Sequence, residues 1–458
     1  VDGPGPSIDR QAEIIEEIAR RNEGTNIRRT TDPLEKENLW LARRSAAGTY
    51  GRVKPTYITQ DIAVPRNRIP DMFRKVSEIA DQIALPIGIL GHMGDGNLHP
   101  AILLDDQNPD EMRRTIEAGH VILEEALRLG GVLTGEHGVG LEKIDFMHKA
   151  FPMDSLHYFA RVKRAFDPNW QLNPGKAIPE VQEEPAPAAV PEPAAAPTRT
   201  GEEGALERLQ GLLGDGLITD AAGMAEFGFG PERQPLAVAV PQDREQVVEI
   251  VKVLREARVP AWPVGRGTFV RQAFAPFQGG VGISTARLQR MVDLNLDNLT
   301  AIVEAGVTAE QLNAVLREKV SGKMPFFFPT DPWRVPGATI GGEVGINAYG
   351  PNRPLFGSTR DQLLGMTFVD AGGGVCRVGG QTIKNVTGFD ISRLLCGTWG
   401  TLGVVVDATL RLWPCPETEQ TFLLPLTGQD DTDLIREIRD RLEPASLQVL
   451  GPYGEPSA

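Results

Sequence analysis

Cysteine is scarce in this chain of 458 residues: only Cys376, Cys396 and Cys415 occur. They form no CxxC pair, which excludes a disulfide framework and an iron–sulfur cluster held here, and reads as reduced thiols in a cytosolic protein. Long apolar runs are missing as well. The longest, such as 83–90, fall far short of the ~20 residues that span a bilayer, and no basic-then-apolar leader opens the sequence. Positive charge is in deficit, with 47 Lys+Arg against 61 Asp+Glu and a net charge of −14. That balance argues against a general phosphate-backbone binder, which needs clustered cations. Histidine is sparse and one-sided: all six lie before residue 158. What is abundant is glycine (50) and proline (36), pointing to many tight turns, while 41% apolar residues suffice for sizeable cores. The length suggests about three domains at ~150 residues each. The chain opens on Val1 rather than Met, so an excerpt of a longer polypeptide is expected.

One boundary is plain. Residues 180–204 read EVQEEPAPAAVPEPAAAPTRTGEEG, an alternation of Ala and Pro that favours extended polyproline II and buries nothing. This linker separates a first piece, 1–179, from a second, 205–416, followed by 417–458 as the start of a further, incomplete domain. In the first piece, apolar residues at helical spacing open the chain. Residues 56–64 (TYITQDIAV) are strand-like up to Pro65, 72–83 are helical, 85–90 form a short strand, and 110–129 a helix ended by Gly130-Gly131. The second piece alternates short strands and helices: strands at 236–240, 261–264 and 301–303, a helix 244–257 capped by Asp243, and a helix 309–319 capped by Thr308. Residues 364–369 and 375–378 form a hairpin across Gly372-Gly373-Gly374. Both pieces are α+β.

The chemistry of the first piece sits in two glycine-rich loops. GHMGDGNLHP (91–100) carries His92, Asp95, Asn97 and His99, and GEHGVG (135–140) carries Glu136 and His137. Imidazole and carboxylate together are the donor set of a catalytic divalent metal with an open position. On one continuous strand His92 and His99 would face opposite ways; a turn at Gly94-Asp95-Gly96 lets the two rings converge. Asp95 and Asn97 fit a turn-forming role. His120, His148 and His157 have no such surroundings and read as structural or solvated. Lys143 and Lys176 read as solvated lysines.

These motifs, followed by NPGK at 173–176, resemble the C-terminal domain of the FAD-linked oxidases, over nearly all of residues 1–179. The family includes a flavoprotein chain of glycolate oxidase, the D-lactate dehydrogenases and D-2-hydroxyglutarate dehydrogenase. The resemblance implies a ferredoxin-like cap with helices. It implies that His92, His99 and Glu136 hold a divalent metal, commonly zinc, and that His137 is the base beside the substrate. The element LWLAR at 39–43 matches the family's LWxxR, which implies that Arg43 grips the substrate carboxylate, with Arg44 as the neighbouring candidate.

The second piece carries PVGRGT (263–268), PTDP (329–332), ATIGGEVGINAYGP (338–351), GSTRD (357–361) and GTWGTLGVV (397–405). None has the spacing of a Rossmann fingerprint, so no Rossmann domain is expected. A glycine turn after a strand can turn backbone N–H groups toward a phosphate. Taken in order, these segments resemble the FAD-binding domain of the vanillyl-alcohol-oxidase or PCMH type over roughly 235–416, and GQTIKNVTGFDISRLLCGTWGTLGV is similar to a second FAD-binding chain of glycolate oxidase. The resemblance implies that Gly265, Arg266, Gly267 and Thr268 cradle the pyrophosphate. It places Thr339, Gly341, Gly342 and Asn347 along the flavin, and Gly400, Gly403 and Val404 at the adenine–ribose end. The chain departs from the family at Arg266, where a glycine is usual, and at Glu343, where asparagine is common. With no histidine in this piece, a histidyl bond to FAD is excluded.

The resulting expectation is an FAD-dependent 2-hydroxy-acid dehydrogenase of the glycolate or D-lactate class. Electrons leave to an iron–sulfur partner protein that the resemblance implies. The setting is cytoplasmic, with any membrane contact made through that partner. The rival is an FAD-binding electron-transfer or assembly subunit with no turnover of its own. In the family the FAD domain precedes its substrate domain, whereas here the order is reversed. The two pieces therefore read as parts of separate units, expected to pack weakly, with metal loops and flavin loops apart.

Overall fold

The computed structural model describes residues 5–45, 47–181, 199–231, 234–270, 279–318, 325–330, 337–416, 418–422, 431–442 and 444–446. Most of the linker and of 417–458 lies outside these residues.

The first half begins with helices α1 (Gly5–Arg21) and α2 (Pro33–Ser45). Strands β1 (Thr56–Thr59) and β2 (Ile62–Ala63) follow, then α3 (Ile69–Ile83), β3 (Ile87–His92), β4 (Asn97–Leu104), α4 (Pro109–Arg128), α5 (Met147–Ala150) and α6 (Met153–Phe166). Strand β4 is central: β1 and then β2 pair along one edge and β3 along the other, all antiparallel. The strand expected over 56–64 is thus two. It breaks at Gln60-Asp61 because the Asp61 carboxylate turns inward, accepting from the Thr134 hydroxyl and from the Glu136 and His137 N–H groups. Helix α4 starts where Asn108 accepts from Asp110 and Glu111 N–H, and ends at Gly130, whose φ of 78° only glycine adopts cheaply.

The second half comprises α7 (Arg199–Leu213), β5 (Leu217–Ile218), α8 (Ala221–Glu226), β6 (Ala237–Ala239), α9 (Arg244–Ala257), β7 (Ala261–Val264), β8 (Val281–Ser284), β9 (Met291–Asn295), β10 (Thr300–Glu304) and α10 (Ala309–Glu318). It continues through β11 (Phe326–Phe327), α11 (Ile340–Ile346), α12 (Arg353–Phe356), α13 (Thr359–Gln362), β12 (Leu363–Val369), β13 (Val375–Gly379), α14 (Ile391–Leu395), β14 (Val404–Arg411) and β15 (Trp413–Pro414). Helix α15 (Asp431–Leu442) lies beyond. One sheet runs β5-β6-β8-β7 with a parallel β6-β8-β7 core; the other, β13-β12-β14-β10-β9, is antiparallel throughout. Asp243 caps α9 through Gln246 N–H, and Thr308 accepts from Gln311 N–H at the start of α10. No helix among the described residues is long and apolar enough to cross a membrane.

The expectation of weak packing between the halves is overturned. A single apolar core runs from Ile62, Leu98, Ile122 and Phe159 in the first half to Val303, Phe368, Ile391 and Leu410 in the second. Tyr158 meets Phe368 edge-on at 4.9 Å, and Phe159 lies 6.3 Å from Phe389. Around these rings, Ser155 Oγ donates to the Arg377 carbonyl and accepts from Arg377 N–H, both at 2.8 Å. Arg66 N–H donates to Asn298 Oδ1 at 2.7 Å, and Arg161 pairs with the buried Asp370. The physical reason is burial. Phe159 and Phe368 are both fully enclosed, and rings of that size gain the most by leaving water. Reversed domain order is no obstacle when a linker of ~25 residues can reach ~28 Å even as a flexible coil.

Candidate functional site

The histidines converge because of strand register. In the β3–β4 hairpin, His92 stands opposite Asn97 and Leu90 opposite His99. Residues directly opposite share a face, as do positions i and i+2, so His92, Asn97 and His99 all point one way. The turn between them closes on Gly96, with φ 76°; a Cβ there would lie 2.1 Å from the Val64 carbonyl oxygen. The second loop is brought in by Val132, which exchanges backbone hydrogen bonds with Ala63 beside the sheet. Glu136 Oε1 then lies 3.1 Å from His99 Nε2 and 3.6 Å from His92 Nε2. A zinc ion bound tetrahedrally at 2.0–2.2 Å needs donors about 3.4 Å apart, so the three atoms fit a metal. His137 is exposed, its ring stacked on His99 at 5.1 Å, with Nε2 4.0 Å from Glu136 Oε1.

The electrostatics favour the ligand forms. Burial pushes the His99 pKa down further than Asp61 and Glu136 pull it up, so the ring is held neutral. A hydrogen bond from Lys384 holds the Glu136 carboxyl below its usual range, against slight desolvation.

The loops expected to line the flavin also meet. The segment 265–268 follows β7 in the parallel sheet, at the carboxyl end where open sheets bind ligands. A Cβ on Gly265 would fall 2.2 Å from Thr339 Oγ1, and one on Gly400 would fall 2.9 Å from Pro263 Cβ. Glycine at both places lets three loops close around the end of β7. Thr339 caps α11, Gly341 lies against Ala305, and Gly342 donates its N–H to Thr339 Oγ1. Gly267 takes a φ of 74° against Phe227, between Arg266 and Thr268. Asn347 ends α11 in the left-handed region, and its Oδ1 accepts from Arg360 N–H. Gly403 packs on the Phe368 ring, and Val404 is buried in a second core.

Arg43 falls in α2, but its side chain and that of Arg44 lie outside the described residues, as do Asp331 and Pro332 of the PTDP segment.

Residues 1–177 match the sequence model of the "FAD linked oxidases, C-terminal domain", and residues 235–379 match that of the "FAD binding domain". In both halves the chain is thus similar to FAD-linked oxidases, with the C-terminal-domain match first and the FAD-binding match second. Among its relatives, the chain is 37% identical over 179 residues to the glycolate oxidase subunit GlcD of Escherichia coli (strain K12), covering 39% of this chain and 36% of that one. It is 39% identical over 175 residues to the subunit of the same name in Bacillus subtilis (strain 168), covering 38% and 37%. It is 33% identical over 215 residues to a D-lactate dehydrogenase of Archaeoglobus fulgidus, covering 46% and 47%. The chain thus spans between about a third and a half of the length of these relatives.

Sequence reasoning missed three residues of this site. Asp61 is 1% exposed, and its Oδ1 faces His99 Nδ1 at 3.6 Å. Neither atom has a hydrogen-bond partner. A carboxylate there favours the tautomer with hydrogen on Nδ1, which leaves the Nε2 lone pair toward Glu136 and His92. Burial alone would raise the Asp61 pKa; bonds from Thr134, His137 and Glu136, with Lys143 nearby, hold it below the usual range. Lys143 is the second. Far from solvated, it is 3% exposed and donates to the carbonyls of Asp61 and Leu133, pinning both loops. Asn97 is the third: it is fully buried rather than at a turn tip, and neither of its amide atoms has a partner. A carboxylate interrupting the apolar run TYITQDIAV was the one available signal for Asp61.

Because three donors converge on Asp61, Asp61→Ala should destabilise the fold by about 3 kcal/mol, the usual cost of orphaning buried donors. Urea denaturation checks this, and a change below about 1 kcal/mol would show that the loop re-forms without it.

Proposed function

We propose that the chain oxidises a 2-hydroxy acid of the glycolate or D-lactate class to the 2-oxo acid. The observation that carries this reading is the contact across the halves: Lys384 of the FAD-binding half reaches Glu136 of the imidazole–carboxylate cluster at 3.0 Å. The cluster therefore sits where the flavin half meets the half that resembles a substrate domain. The names of relatives, glycolate oxidase subunit and D-lactate dehydrogenase, support the substrate class.

His92, His99 and Glu136 would hold the divalent ion, proposed as zinc, and the loops at 265–268, 339–347 and 400–404 would hold FAD. When bound, the ion makes the substrate hydroxyl more acidic, and FAD supplies a hydride acceptor at N5. His137 is proposed to take the hydroxyl proton at Nε2, a reading supported by its exposed ring beside the cluster. Arg43 is proposed to grip the carboxylate. Onward electrons are proposed to pass to an iron–sulfur partner protein, since the three cysteines here form no CxxC pair.

Anaerobic addition of glycolate, D-lactate or D-2-hydroxyglutarate should bleach the flavin absorbance with at least one of them. A flavin indifferent to all three would instead support an electron-transfer role. The flavin should also be released intact by acid precipitation of the full chain, because no histidine follows residue 157. Yellow colour retained in the washed pellet would disprove non-covalent binding.

A further inference from the structure

The flavin half contributes Lys384 to the cluster, and its place there is built rather than incidental. Its loop is fixed to the loop of Glu136 and His137 by backbone and threonine hydrogen bonds. Val386 N–H donates to the Thr134 carbonyl at 3.2 Å, Thr134 N–H to Thr387 Oγ1 at 3.3 Å, and the Thr387 hydroxyl back to the Thr134 carbonyl at 3.4 Å. From this anchored loop the ammonium lies 3.0 Å from Glu136 Oε2 and 3.4 Å from Asp95 Oδ2. The two oxygens of Glu136 thus have different partners: Oε1 faces the histidine nitrogens, and Oε2 faces Lys384.

We propose that Lys384 is a resident cation of the metal cluster, held on Glu136 by the flavin half, and that a divalent ion must bind against it. The inference rests on reading His92, His99 and Glu136 as metal ligands. A dication on Oε1 and an ammonium on Oε2 of one carboxylate would stand about 5 Å apart. Even at the dielectric constant of water, that repulsion amounts to about a tenfold penalty on metal affinity, and at lower effective values to more. Asp95 gives the ammonium a second carboxylate to shift toward, so the ion can enter without expelling Lys384 into solvent. Two consequences follow. The metal-free cluster is already organised, because Glu136 is kept pointing inward. The affinity of the substrate half for its metal is set in part by a residue of the flavin half.

The test is metal affinity on the metal-stripped full chain, with Zn²⁺ titrated against a chromophoric chelator for the wild type, Lys384→Met, Lys384→Gln and Lys384→Arg. Lys384 is only partly buried, so the neutral variants should fold. Both should bind Zn²⁺ at least about tenfold more tightly than the wild type, while Lys384→Arg, which keeps the charge, should stay within about threefold. Equal or weaker binding by both neutral variants would overturn the inference and leave the metal site standing. Absence of Zn²⁺ binding in the wild type and in every variant would overturn the metal site and the inference together.

Discussion

Glu136→Gln and His99→Ala should each leave the protein almost free of divalent metal, where the wild type should hold about one ion per chain. The expectation follows from donor count. An open catalytic site has three protein ligands and no spare, so losing one lowers affinity by at least about 100-fold, more than loss of a supporting hydrogen bond costs. Glu136→Gln is the sharper of the two, since it keeps size and hydrogen-bonding reach while deleting the one formal negative charge among the three ligands. His120→Ala serves as control, because the His120 ring lies tilted against Phe146 at 5.1 Å, outside the cluster. Elemental analysis after dialysis reads the result. Unchanged stoichiometry in both variants would refute the assignment of these residues.

His137→Asn should retain both metal and FAD yet slow flavin reduction by the hydroxy acid by roughly 10²–10⁴-fold, the range a general base contributes. The geometry argues for this separation of roles. His137 Nε2 stands 4.0 Å from Glu136 Oε1, further than the Nε2 atoms of His92 and His99, and its ring packs over His99. Its loop is held by backbone N–H bonds to Asp61, which the substitution leaves in place. Stopped-flow absorbance under anaerobic conditions measures the rate. A value within a few-fold of wild type would move the base to another residue.

Sequence signals suffice where the local chain decides the structure. Helix α9 over 244–257 follows from Asp243 at its cap and apolar residues at helical spacing, and β7 over 261–264 from a short apolar run ended by glycine. The β12–β13 hairpin follows from three consecutive glycines. His92, His99, Glu136 and His137, which lie together in the fold, can be picked out in the sequence because two glycine-rich motifs concentrate half the histidines. What stays hidden depends on pairings distant in sequence. Asp61 breaks its strand to serve a loop that begins at Thr134, Lys143 is buried by carbonyls of two other segments, and Lys384 reaches Glu136 across 248 positions. The packing of the halves escapes the sequence for the same reason: domain order suggests separate partners, while complementary aromatic surfaces decide contact.

The shared core has a consequence for biosynthesis. Phe159 and Tyr158 emerge from the ribosome long before Phe389 and Phe368, their partners across the halves. At translation rates of about 5–20 residues per second, roughly 10–50 s separate the two sides of that contact. For that interval the rings of the first half lack these partners, and a slower-translated linker would lengthen it without changing the finished protein.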